Sequence, residues 1–245
     1  MQRLRHRVVA FLRRQAVVFP FLLRFRRGRR ELLTDPTTDV VIDGYMRSAN
    51  TFAYHAFRRA NPDAVVAHHL HSTLQFTRAA RLGVPALLLI RSPDDAVASA
   101  VVQAPTQSTA LALHEWIAFY RTVWPQREHY VIGGFDEVTN SFSTVIERLN
   151  RAFGSHFEVY ESSEQSDAEV FDTIDRDFAE RFDQKSSEQV ESFIGRPSEH
   201  RTSRLDDVKS AIAHDTAHPT LLAEALEVYQ RYCDEALAQI ARYAG

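Results

Sequence analysis

The chain holds 245 residues, 44% of them hydrophobic and 25% charged, enough for one large domain with a substantial core; this excludes a disordered or collagenous chain and a coiled coil. Its single cysteine, Cys233, excludes an internal disulfide and any zinc site built on a cysteine pair, so a reducing, cytoplasmic setting is expected. Residues 1–30 carry ten arginines and no acid, so against the whole-chain net charge of −3 the remainder sums to −13, and an acidic body argues against a nucleic-acid partner.

The first 38 residues read as a basic amphipathic N-terminal helix, with Leu4, Val8, Phe11, Val18 and Leu22 at roughly helical spacing among the arginines. Its longest apolar run, Ala16 to Leu23, is too short to span a bilayer, and Arg13 with Arg14 interrupts what would be a signal-peptide core. Two roles stay open: a peripheral contact with an anionic membrane surface, or an apolar face packed on the domain with its arginines in water.

From residue 39 to 245 the pattern is that of a single α/β domain. Short apolar runs at 39–43, 64–68, 85–90 and 130–134 read as strands, and residues 50–61, 73–82, 94–102 and 108–126 read as helices between them. Continuous apolar runs suit parallel strands buried on both faces, so the expected fold is a three-layer, doubly wound parallel sheet that binds ligands beyond the carboxyl ends of its strands. Thr139 to Phe153 is amphipathic and ends at Gly154, a plausible C-cap. Residues 155–191 hold twelve acids against Arg176, Arg181 and Lys185 and read as a solvated, mainly helical lobe; a loop around 195–203 and a long helix from Pro219 to Tyr243 complete the chain.

The first strand runs into Gly44-Tyr45-Met46-Arg47-Ser48-Ala49-Asn50-Thr51-Phe52 and then a helix. A strand, a loop and a helix N-terminus make an anion site, because unpaired backbone N–H groups and the helix dipole converge there. Laid over the nucleotide-triphosphate loop G-x-x-x-x-G-K-[ST], Gly44 and Thr51 fit, while Ala49 replaces the second glycine and Asn50 the lysine. The neighbouring strand ends in Arg91 where such enzymes place an aspartate for Mg²⁺, so ATP or GTP hydrolysis is not expected. Arginine instead offers a permanently charged fork suited to phosphate.

GYMRSANTF resembles the G-Y-P-[RK]-S-G-T-T-[FW] loop of sulfotransferases that use 3'-phosphoadenosine 5'-phosphosulfate (PAPS), with Met46, Ala49 and Asn50 as departures. The second signature of that family, R-[NS]-P-x-D with a serine eight residues after the arginine, is met by Arg91-Ser92-Pro93-Asp94-Asp95 and Ser99. The resemblance implies that Arg47 stabilises charge on the transferring group, and that Ser48, Asn50 and Thr51, with the loop amides including that of Ala49, hold the 5'-phosphate. It further implies that Phe52 stacks on adenine and that Arg91 and Ser99 grip the 3'-phosphate. Sulfuryl transfer needs a base, and Ala67-His68-His69-Leu70-His71 supplies histidines; the family's catalytic position, 22 residues before the 3'-phosphate arginine, falls on His69, with His71 the second candidate. Without a nearby carboxylate or cysteine in that sequence, a metal site is the weaker reading. Phe135-Asp136-Glu137-Val138 is similar to the family's Y-E-D-L segment, which puts Phe135 near the adenine. In the stretch Arg196 to Arg204, Arg201 and Arg204 match the basic loop that the family folds over the nucleotide.

The expected activity is therefore transfer of a sulfuryl group from PAPS to a hydroxyl or amine of a small-molecule, glycan or lipid acceptor, without a metal, leaving adenosine 3',5'-bisphosphate (PAP). A noncatalytic relative that binds a nucleotide or a membrane is the alternative, and a P-loop kinase-like enzyme a more distant one.

Overall fold

The structure is a computed structural model that describes residues 33–104, 107–181, 199–214 and 218–244, the side chains of Arg181 and of residues 199–203 excepted. The basic segment up to residue 32, and with it most of the expected N-terminal helix, lies outside the described residues, as do 182–198. In chain order the elements are β1 (Val40–Gly44), α1 (Asn50–Ala60), β2 (Val66–His68), α2 (Leu74–Leu82), β3 (Ala86–Ile90), α3 (Pro93–Gln103), α4 (Thr109–Val123), a 3-10 turn (Trp124–His129), β4 (Val131–Gly134), α5 (Phe135–Asn140), α6 (Phe142–Phe153), α7 (Glu164–Arg181), α8 (Glu199–Ala213) and α9 (Leu221–Tyr243).

The four strands form one parallel sheet in the order β2, β1, β3, β4. Alternation within each apolar run divides the core in two. Val41, Leu88, Ile90 and Ile132 face a layer built from α2, α3, α4 and α9, with Phe76, Trp116, Tyr120 and Tyr232 buried in it. Val40, Ile42, Leu87, Leu89 and Val131 face the opposite layer, where α1, α6 and α7 contribute Phe52, Phe57, Phe142, Ile146, Val170 and Ile174. The expected three-layer α/β architecture is the one observed, and the four strand ends deliver Gly44, His68, Ile90 and Gly134 to one side of the sheet.

Local chemistry sets the element ends. Gly83 and Gly154 take left-handed conformations (φ 68° and 63°) as helix C-caps of α2 and α6, where a Cβ would be strained. Ser108 caps α4 by accepting from Leu111 N, and Pro93 opens α3 with Asp94 and Asp95 in its first turn. Three expectations are corrected. The helix expected over 108–126 ends at Val123, because Pro125 has no N–H to give and the chain tightens into a 3-10 turn. The acidic stretch is not a solvated lobe over its described part, since α7 packs against α1 with Val170 and Ile174 buried. The basic segment near the carboxyl end is helix rather than loop from Glu199 onward. Among the described residues, no helix is long and apolar enough to cross a membrane.

Candidate active site

The loop between β1 and α1 is braced from within. Gly44 lies against β3 so closely that a Cβ there would stand 2.2 Å from the Leu89 carbonyl oxygen, so only glycine fits. Asn50, at the first position of α1, turns its amide inward and donates to the Tyr45 carbonyl (2.9 Å), while the Tyr45 hydroxyl donates to Ala112 O. Asn50 and Ser48 are therefore buried; Asn50 Oδ1 has no hydrogen-bond partner among the described residues. Asn50, expected to contact the 5'-phosphate, thus acts first as the tie that closes the loop. Ala49 sits at the helix N-cap with φ 64° and Arg47 at φ 69°, left-handed conformations that cost a non-glycine residue about 1 kcal/mol or more. The first-turn N–H groups of α1 have no intrahelical acceptors, and with the positive end of the helix dipole they favour an anion at the loop.

Two basic side chains from separate motifs meet at this loop. Arg47 Nε donates to Ser99 Oγ of α3 at 2.8 Å, and Arg91 Nη1, at the end of β3, reaches the Arg47 carbonyl oxygen at 3.5 Å. Ser99, expected beside Arg91, is thereby engaged by Arg47. The Arg91 guanidinium lies over the Phe135 ring, 4.0 Å from its centroid, and 3.9 Å from Asp95. Burial lowers its pKa from the ordinary arginine value against the opposing pull of Asp95, Asp136 and Asp94. Asp95 itself is pulled below the ordinary carboxylate value. Burial raises it, but the hydrogen bond from Lys209 on α8, together with Arg91 and Ser92, outweighs that. Lys209, which no sequence motif singled out, is a basic residue that α8 brings to this corner. Arg204 is exposed on α8, and the Arg201 side chain lies outside the described residues.

Phe52 is placed differently from its expected role. Its ring is 9% exposed and packs edge-on against Phe142 and Tyr160 and beside Phe171, inside the core rather than over the loop. Sequence could not show this, because the side of α1 that is covered depends on α7, more than a hundred residues later.

The segment after β2 folds back on the loop. His69 and His71 both have positive φ (54° and 48°), so all four left-handed non-glycine residues among those described lie in these two facing loops. His69 Nε2 is 3.1 Å from Thr51 Oγ1 of α1, and its Nδ1 meets Nδ1 of His68, whose ring stacks on Tyr54 at 3.7 Å between centroids. His71 Nδ1 is 2.9 Å from the Gly44 carbonyl oxygen. Beneath both loops lies Asp43, fully buried and within hydrogen-bond reach of the Gly44, Leu70 and His71 backbone N–H groups. The sequence assigned it no role; the available signal was a lone carboxylate inside an otherwise apolar strand. Among the described residues no group of three or more histidine, cysteine or acidic side chains is arranged to hold a metal ion.

No protein-family model matches the chain, and no curated protein matches it. Among solved structures, it is similar to a mouse sulfotransferase, SULT7A1, complexed with PAP. That match has a TM-score of 0.38 and 11% identity, and covers 80% of this chain and 91% of the other.

Proposed function

We propose that the chain is a sulfotransferase that moves a sulfuryl group from PAPS to a hydroxyl or amine. The observation that carries this reading is the meeting of Arg47, Arg91 and Ser99 at a glycine-started loop before a helix N-terminus. Two guanidinium groups and the amides of one helix start suit a ligand with two separate phosphate groups and need no metal to balance its charge. The fit rests on donors at the loop, the first-turn N–H groups of α1 and the guanidinium groups of Arg47 and Arg91. It does not extend to Phe52 as an adenine platform. Phe135, half-exposed beneath Arg91, is the ring at the mouth of the site.

When bound, PAPS supplies the activated sulfuryl group. Arg47 neutralises charge that develops between sulfur and the leaving phosphate, and Arg91 holds the 3'-phosphate. Thr51, the less buried hydroxyl of the loop, serves the 5'-phosphate.

Calorimetric titration of the full chain with PAP, AMP and ATP, without added metal, tests this. PAP is expected to bind in preference to both others. In Arg91→Ala that preference falls about tenfold or more, the loss of a hydrogen bond to a charged group. Arg47→Ala is expected to keep PAP affinity and lose turnover of [³⁵S]PAPS. An absence of PAP binding, or an unchanged preference in Arg91→Ala, overturns the reading.

A further inference from the structure

A carboxylate inside a central strand is costly unless each of its lone pairs is met. Asp43 meets that condition. It is wholly buried, and its oxygens accept from the N–H groups of Gly44 (2.9 Å), Leu70 (3.1 Å) and His71 (3.0 Å). One residue thus joins the start of the phosphate loop to the histidine segment and holds His71 in its left-handed conformation.

The remaining group beside the carboxylate is the His71 ring. Its Nδ1 stands 3.3 Å from Asp43 Oδ1 and 2.9 Å from the Gly44 carbonyl oxygen. Both neighbours are acceptors only, so Nδ1 carries the hydrogen, and in the neutral ring Nε2 then holds the lone pair. His69, by contrast, has both ring nitrogens engaged, Nε2 with Thr51 and Nδ1 with His68. His68 is buried under Tyr54, whereas the His71 side chain keeps 19% of its surface.

We propose that His71, oriented by the buried Asp43 and resting on the first residue of the phosphate loop, is the proton acceptor of the site, and that His69 braces Thr51. The inference rests on the sulfuryl-transfer reading. The acceptor oxygen forms a bond to sulfur while its proton passes to His71 Nε2. The bond between sulfur and the bridging phosphate oxygen breaks, and PAP leaves with that electron pair. The imidazolium so formed lies against the Asp43 carboxylate, which holds its charge without taking the proton. Asp43 is a positioning residue, and His71 the group that meets the acceptor.

Imidazole ¹⁵N spectra of the full chain with ¹⁵N-labelled histidine, assigned through His71→Gln, read the tautomer with and without PAP. The expected result is that the neutral form of the His71 ring carries its hydrogen on Nδ1; a neutral form with its hydrogen on Nε2 overturns the proposal. Release of [³⁵S]sulfate from PAPS to water reads the base without an identified acceptor. His71→Gln is expected to lower that rate about a hundredfold or more, the usual scale of general-base catalysis, with PAP affinity changed less than about twofold. His69→Gln is expected to lower it less than about tenfold, and the reverse ranking overturns the proposal. Asp43→Asn is expected to lower the rate in the wild-type background and to add nothing in His71→Gln; independent losses mean Asp43 acts on the fold alone. Failure of wild-type protein to bind PAP overturns the sulfuryl-transfer reading instead, and leaves the tautomer to decide whether the pair exists.

Discussion

Single residues decide how close the elements of this site come to one another. Gly44 is paired with Leu89 across β1 and β3, and an added Cβ would fall 2.2 Å from a backbone oxygen that cannot move without parting the two central strands. Gly44→Ala is therefore expected to lower stability by about 3 kcal/mol, the upper range for overpacking, as a shift of the urea midpoint with an unchanged slope. The turn from Gly44 through Arg47 into a helix was legible in the sequence because such a loop is local, its members fixed by a few neighbouring bonds, whereas the contact of Arg47 with Ser99 joins two separate motifs and was not. Asp43 was not, since its meaning depends on two loops that converge only once β2 has paired beside β1. Phe52 misled for the related reason that a motif gives the position of an aromatic ring but not the side of the helix that later packing will cover.

At the scale of elements, apolar runs of the strand type located all four strands within a residue or two, because burial on both faces leaves no other residue types tolerable. The acidic stretch shows the opposite case. Val170, Phe171, Ile174 and Phe178 form a strip narrow enough to be outvoted by the acids around it, yet wide enough to seat α7 on α1. The attachment of α8 to α3 combines a similar strip, Leu205, Val208 and Ile212, with the Lys209 to Asp95 ion pair. The folded-state pKa of Asp95 lies below its ordinary 3.8, so the pair contributes stability above that pH and loses it as pH falls through the lowered value. The wild-type protein is thus expected to exceed Asp95→Asn by about 1 kcal/mol or less at pH 6. Urea denaturation should show that advantage shrinking as pH falls below 3.8 and through the lowered value; an advantage constant with pH would mean that packing, not charge, joins the two helices.

On the scale of the whole molecule, the last helix completes the sheet. The Gln239 side chain of α9 is buried at the β4 edge, accepting from Ile132 N (2.9 Å) and donating to Tyr130 O (3.1 Å), as a fifth strand would. Around it, the Tyr232 hydroxyl donates to Tyr120 O, and the Tyr120 hydroxyl to Leu89 O, so a run of buried phenols links α9 through α4 to β3. Burial raises the pKa values of Tyr120, Tyr130 and Tyr232, which therefore stay neutral donors in any physiological range. Gln239→Leu leaves a backbone donor and acceptor unmatched and is expected to cost about 2–3 kcal/mol, with faster amide exchange at Ile132. Since Gln239 lies 107 residues after Ile132, a chain still being made on the ribosome exposes β4 as an open edge until α9 has emerged. Closure of the sheet edge thus waits on α9, and until then β4 is open to pairing with another chain.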